Sequence, residues 1–239
     1  MGMTRKLELI FCAVVLLAAS ALAAAGAGVN FSPSTYNPAV GEEVTFEVCQ
    51  TCLGAEPYRF EWDFDGDGAM DLEVAVPTVT RTFTESGEAV VTLEATDAGW
   101  RTSLRKKGLL VGESPLLAVR EVLAEDRGGY LVVVTLTVRG DFSGFALEER
   151  VPRGWQMQEV DRGGAAYVAQ AGQFLEVLWI TEIQAGEGRV YAYRLVPSTY
   201  ASGIPELFGV ASGYLKEVPT GEAGKRVKVT VCGDLMIPE

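Results

Sequence analysis

Glu61-Trp62-Asp63-Phe64-Asp65-Gly66-Asp67-Gly68-Ala69-Met70-Asp71 is the stretch whose reading decides the fold of this 239-residue chain. Successive side chains of a strand point to opposite faces. Trp62 and Phe64 therefore share one face, as do Phe60 and Tyr58 before them, while Asp63 and Asp65 fall opposite and are expected to be solvent-accessible. Gly66 and Gly68 supply the positive φ that a tight turn needs. The pattern is a half-buried strand running into a hairpin, with Trp62 as a core anchor.

Outward from this run, alternating or β-branched segments recur at 44–49, 79–83, 89–95, 102–111, 116–123, 130–138, 144–150, 174–180, 189–196, 206–212 and 226–232. Turn signals separate them, among them Asn37-Pro38, Ser86-Gly87, Gly128-Gly129, Gly163-Gly164, Gly186-Glu187-Gly188 and Gly221. Short strands with turns at roughly 8–12-residue spacing read as β-sandwiches. The expected fold is all-β, two tandem Ig-like β-sandwich domains after an N-terminal signal peptide. Gly112-Glu113-Ser114-Pro115 is the natural boundary, which divides the chain into 28–112 and 113–239. Arg101, Arg105, Lys106 and Lys107 read as a solvated strand face.

Residues 1–25 carry the order of a secretory signal: Arg5 and Lys6, then an apolar run from Leu9 to Leu22, then small residues from Ala21 to Ala27. Cleavage is expected after Ala23 or Ala25, and a membrane anchor remains only if the segment is retained. The expected location is exported, extracellular or in the cell envelope. Twenty Lys and Arg stand against 32 Asp and Glu, a net charge of −12. That balance argues against nucleic acid and anionic lipid as partners. The chain has no histidine, which excludes Ser-His-Asp and Cys-His catalysis and His-ligated zinc.

Past the signal, Cys49, Cys52 and Cys232 remain. Cys49-Gln50-Thr51-Cys52 follows a strand rather than opening a helix, so a thioredoxin-like thiol is not expected. A zinc knuckle would need a second pair. A local Cys49–Cys52 disulfide pinning a loop is the expectation. Cys232 is then the odd one, free or intermolecular.

Phe31-Ser32-Pro33, Pro38-Ala39-Val40-Gly41-Glu42-Glu43-Val44-Thr45-Phe46, the Tyr58–Gly68 run, Val79-Thr80-Arg81-Thr82-Phe83 and Gly87-Glu88-Ala89-Val90-Val91-Thr92-Leu93 follow in order. Together they resemble the polycystic kidney disease (PKD) domain of bacterial and archaeal surface proteins, over residues 28–112. The resemblance implies a seven-stranded Ig-like sandwich. It also implies adhesion, spacing, or matrix and polysaccharide contact, usually without catalysis. The Cys-x-x-Cys departs from the family pattern.

Asp63, Asp65 and Asp67 occupy positions 1, 3 and 5 of a loop, with Gly68 at 6 and Asp71 at 9. That is the first half of a calcium loop. Val74 stands where the bidentate Glu belongs, and Glu73 comes one residue early. Two readings stay open: a weak calcium site, or a polar hairpin turn whose aspartates hydrogen-bond their own backbone. Calcium is the one cofactor in question.

In the second block, Phe145–Trp155, Leu175–Trp179, Ile183–Gly188 and Val190–Leu195 follow an order similar to that of the repeat sandwich domains of bacterial envelope proteins, over about 116–212. Such domains serve as stalks or linkers. Lys225 to Val231 is expected to add an edge strand. Trp155 and Trp179 are either core or a stacking platform for sugar rings. Glu148 and Glu149 sit beside a Pro-Gly turn and are read as solvated, so they are not a glycosidase pair. The function expected is a non-catalytic secreted or cell-surface module for adhesion, protein–protein contact or spacing. The alternative is a carbohydrate-binding accessory protein. The partner expected is an extracellular protein or polysaccharide.

Overall fold

The computed structural model describes residues 29–53, 58–125, 128–199, 206–216 and 224–236. The signal segment expected at 1–25 and the turn expected at Gly221 lie outside them. The protein is all-β. Seven strands occupy its first half: β1 (Phe31–Pro33), β2 (Glu43–Val48), β3 (Tyr58–Asp63), β4 (Leu72–Val74), β5 (Thr78–Thr82), β6 (Gly87–Asp97) and β7 (Thr102–Val111). Nine more follow: β8 (Leu116–Ala124), β9 (Tyr130–Val138), β10 (Phe142–Arg150), β11 (Trp155–Asp161), β12 (Tyr167–Ala171), β13 (Phe174–Trp179), β14 (Gly188–Pro197), β15 (Phe208–Leu215) and β16 (Lys225–Thr230). A last short strand, β17 (Cys232–Asp234), closes the described chain.

Two cores result from period-two alternation. In the first, β1, β2 and β5 form a three-stranded sheet facing the strands that carry Trp62 and Leu93. Trp62 is fully buried, with the rings of Phe31, Phe46 and Phe64 centred 5.1, 5.8 and 5.6 Å away. An aromatic knot of this kind supplies about 1.5–3 kcal/mol per buried ring. In the second, a five-stranded sheet β12-β13-β10-β15-β16 encloses Leu147, Val177, Trp179 and Tyr191 against β9, β8 and β14. β16 lies at the edge of that sheet.

The remaining sheet has nine strands and runs through both halves, in the order β11-β14-β9-β8-β17-β7-β6-β3-β4. β7 and β8 do not pair with each other. The tail strand β17 lies between them, antiparallel to β7 and parallel to β8. The sequence reading placed the tail wholly in the second block. A three-residue strand with one β-branched neighbour carries too little pattern to announce itself.

Gly233 sits at the centre of this seam, opposite Gly108 on one side and Arg120 on the other. Its φ is +82°, and an added Cβ would overlap the Arg120 carbonyl. Both the left-handed conformation and the lack of space call for glycine. Gly233→Ala is expected to cost about 3 kcal/mol or more, read as a lowered urea midpoint at unchanged slope.

Candidate functional site

Asp63 is 3% exposed, not solvent-accessible as its place in the alternation suggested. The hairpin folds back over it and delivers backbone donors. Its Oδ1 accepts from the N–H of Asp65 (3.2 Å) and Gly66 (2.7 Å), and its Oδ2 from Gly68 (3.1 Å). Asp65 Oδ1 accepts from Asp67 N (3.1 Å), Asp67 Oδ1 from Ala69 N (2.7 Å), and Asp71 Oδ2 from Phe64 N (2.8 Å). The run is a staircase of side-chain-closed turns. Oxygens of Asp63, Asp65 and Asp71 still converge to within 4.8 Å of one another. Asp67 is not part of that group. Three carboxylates with spare lone pairs fit a hard cation as a partial shell, short of the six to eight oxygens calcium prefers.

Cys49 and Cys52 are joined by a disulfide with Cα atoms 5.3 Å apart, closing a single 3-10 turn. Cys232 is free and buried. Burial, with Glu88 nearby, pushes its thiol up to about 12, so it is a weak nucleophile and is closed to another chain while β17 is seated.

Trp179 is core: it is 1% exposed and its Nε1 donates to the Gly163 carbonyl at 2.9 Å. Trp155 is half-buried against Tyr130, with ring centroids 5.3 Å apart. The two do not form an exposed strip.

Three residues read as solvated are buried ionic groups instead. Arg105 and Lys107 point into the seam, where Asp234 of β17 receives both. Arg105 Nη2 lies 2.8 Å from Asp234 Oδ2, and Lys107 Nζ lies 3.0 Å from Oδ1. The Val122 N–H donates to Oδ2 at 2.8 Å. Lys107 also donates to the Tyr36 hydroxyl at 3.3 Å. Burial alone would raise the Asp234 pKa, but Lys107, Arg105 and the Val122 N–H outweigh it and hold the carboxyl below its usual range.

The third residue is Glu149. It is buried across the second sandwich from Arg120, whose Nη2 lies 2.6 Å from Oε1. The Tyr193 hydroxyl donates to Oε2 at 2.6 Å. Burial, then the Glu149 charge, pushes Tyr193 well above its ordinary value. Arg120 Nη1 donates to the carbonyls of Asp234 (2.9 Å) and Leu207 (3.3 Å). Glu148, by contrast, is exposed. The sequence did hold a signal for these residues. Arg105 and Lys107 share strand parity with Leu109 and Val111, and Glu149 shares it with Phe145 and Leu147.

The surface carries what the interior does not use. On the outer face of the five-stranded sheet, Phe174, Arg150 and Phe208 lie in one cross-strand row. Glu176 and Glu148 lie side by side in the next. Tyr167 and Tyr214 sit on the same face, and both Phe side chains and both Tyr side chains are about half or more exposed. Two shallow grooves open on the first half. One, of about 290 Å³, is lined by Tyr58, Arg59, Thr96, Asp97, Ala98 and Trp100. The other, of about 330 Å³, lies beside the disulfide.

No family model matches the chain, and no curated protein matches it. Among solved structures it is similar to the full-length major pilin SpaD of Corynebacterium diphtheriae, at 9% identity over 86% of this chain and 64% of that one, TM-score 0.41. It is also similar to the Enterococcus faecalis surface protein ACE, at 11% identity over 88% and 95%, TM-score 0.36. A chitinase from Bacillus thuringiensis shares 13% identity over 71% of this chain, TM-score 0.37, and the chain spans 26% of that enzyme's length. With TM-scores below 0.5, these likenesses carry no functional conclusion.

Asp234 gives the seam a defined pH response. Its folded pKa lies below its unfolded value of about 3.9. The stability it contributes is therefore complete above about pH 4 and is lost as the pH falls toward the folded value. Asp234→Ala is expected to cost about 3–5 kcal/mol at neutral pH, because two cations stay buried without their partner. The check is urea melts from pH 7 to pH 2, in which the variant also shows a shallower acid limb than the native protein.

Proposed function

We propose that the chain is a non-catalytic, exported module that holds an extracellular protein or polysaccharide. In this reading residues 28–112 are a PKD-like sandwich and 113–239 a second sandwich of the envelope repeat type. The observation that carries it is the outer face of the five-stranded sheet. Phe174, 65% exposed, and Phe208 flank Arg150 in register. Folding leaves these rings in water on either side of Arg150, and exposed apolar side chains grouped on one face support its use in binding. Glu148 and Glu176 stand directly opposite one another, which is unfavourable for like charges and is relieved by a basic or hydrogen-bonding partner. The grooves are shallow, which suits surface contact better than enclosure of a reacting bond.

The test is a glycan and matrix-protein array probed with the native protein and with the Phe174→Ser/Phe208→Ser double variant. Both substitutions are at exposed positions, so the melting temperature is expected to move by only a few degrees. Binding to the native protein's ligand is expected to fall at least tenfold. Undiminished binding by a folded double variant would remove this face from the function.

We also propose that the Asp63, Asp65 and Asp71 oxygens hold calcium weakly, as a stiffener of the hairpin. With a Kd on the order of 10⁻³ M, 10 mM calcium would add about 1.4 kcal/mol. That corresponds to a rise of about 3–6 °C in Tm for a chain of this size. Asp65→Asn should abolish the rise and leave the calcium-free Tm nearly unchanged. A native Tm indifferent to calcium retires the site and leaves the turn network as its whole role.

A further inference from the structure

The groove at the open end of β3, β6 and β7 holds a residue that folding does not explain. Trp100 sits at the tip of the β6–β7 hairpin, 83% exposed, with φ +61°. The left-handed conformation is unfavourable for a residue with a Cβ, which crowds the following carbonyl oxygen. Gly99 stands next to it and would take that conformation freely, yet the positive φ falls on the tryptophan. The indole gains almost no burial in return. A glycine at position 100 would make a more stable turn.

The turn is also fixed. Trp100 N donates to the Asp97 carbonyl at 3.0 Å, and Asp97 N to the Arg101 carbonyl at 3.0 Å. Asp97 Oδ1 accepts from Gly99 N (2.7 Å) and Arg101 N (2.9 Å). The indole is thus held out on a braced post, and among the described residues no hydrogen bond occupies Asp97 Oδ2. Beside it lie Tyr58, stacked on Phe60 with ring planes 12° apart, and Arg59, tethered to Glu61 at 2.9 Å.

We propose that this groove is a subsite for one ring of a neutral pyranose chain. The inference rests on the binding-module reading above and assigns a ligand class to a different surface from the five-stranded sheet. An indole face matches the apolar face of a pyranose. A carboxylate acceptor and the guanidinium N–H groups that Glu61 and Glu73 leave free match its ring of hydroxyls. The volume, about 290 Å³, is at the low end for ligand pockets and suits one ring in an open groove. Charge narrows the class. Glu73, Glu61 and Glu94 form one cross-strand row on the neighbouring strands, and the chain's net charge is −12. That field disfavours uronic acids, sulfated glycans and nucleotides. Arg59 within the lining disfavours an ammonium ligand.

The experiment uses the intact exported chain with cellohexaose, chitohexaose, xylohexaose and mannohexaose as probes, read by calorimetry and by protection of tryptophan fluorescence from iodide. Trp62 and Trp179 are buried and Trp155 is half-buried, so the part of the iodide quenching that Trp100→Ala removes reports on Trp100. At least one sugar is expected to saturate the protein and suppress quenching. Trp100→Ala is expected to weaken that binding at least tenfold and Asp97→Asn several-fold, whereas Phe174→Ser/Phe208→Ser leaves it unchanged. Trp100→Gly should melt at or above the native temperature, which separates lost binding from lost folding. Absence of binding to all four sugars overturns the subsite, as does equal binding by Trp100→Ala. Array binding to a matrix protein alone would overturn the subsite and leave the binding-module reading standing. Array silence would remove both.

Discussion

The carboxylate of Asp234 is the group on which the rest of the structure depends. It draws Arg105 and Lys107 from β7 and the Val122 N–H from β8 onto one side chain. β7 and β8 share no hydrogen bonds with each other, so the nine-stranded sheet exists only while β17 is between them. Two buried cations without that carboxylate would carry a desolvation cost of several kcal/mol each. The network therefore acts less as a source of stability than as a condition on geometry. An apolar seam could shift in register, but this one can be satisfied in one arrangement.

The Arg120–Glu149 pair extends the same constraint into the second sandwich. Arg120 on β8 reaches across the core to Glu149 on β10, while its Nη1 takes the Asp234 carbonyl on β17. Tyr193 on β14 completes the carboxylate. Gly209 on β15 makes the arrangement feasible, because a Cβ there would collide with both Arg120 and Glu149. One chain of charge-assisted bonds thus ties β7, β17, β8, β10 and β14. Buried ion pairs of this sort are weak evidence for stability but strong fixers of arrangement when every donor is met.

How far the fold was legible follows from the distance over which each interaction acts. Trp62, Phe64 and the hairpin glycines declare a strand and a turn within eleven residues, and the all-β class follows from repeats of that pattern. Asp63 was misplaced because parity fixes the face a side chain leaves from, not what later folds over it. Charge alone predicts solvation for Arg105, Lys107 and Glu149, while strand parity places them with core residues. The partner that makes their burial tolerable lies 129 residues away from Arg105, and no local pattern reports such a pairing. β17 escaped for a related reason. Its three residues are specified by the slot they fill rather than by their own alternation.

The same logic bears on where function resides. The buried acids are spent on the interior itself: Asp63 on its hairpin, Asp234 on the seam, Glu149 on Arg120. Among the described residues, the buried acids Asp63, Glu149 and Asp234 are each matched to a donor or a cation. What remains without a folding explanation is on the outside, in the half-exposed rings of the five-stranded sheet and in a tryptophan held in a conformation that costs energy. Strain and exposure at a residue that packs against nothing are readable as function only after packing has been ruled out as their cause. In this chain neither Trp100 nor Phe174 belongs to either hydrophobic cluster, and both side chains are more than half exposed.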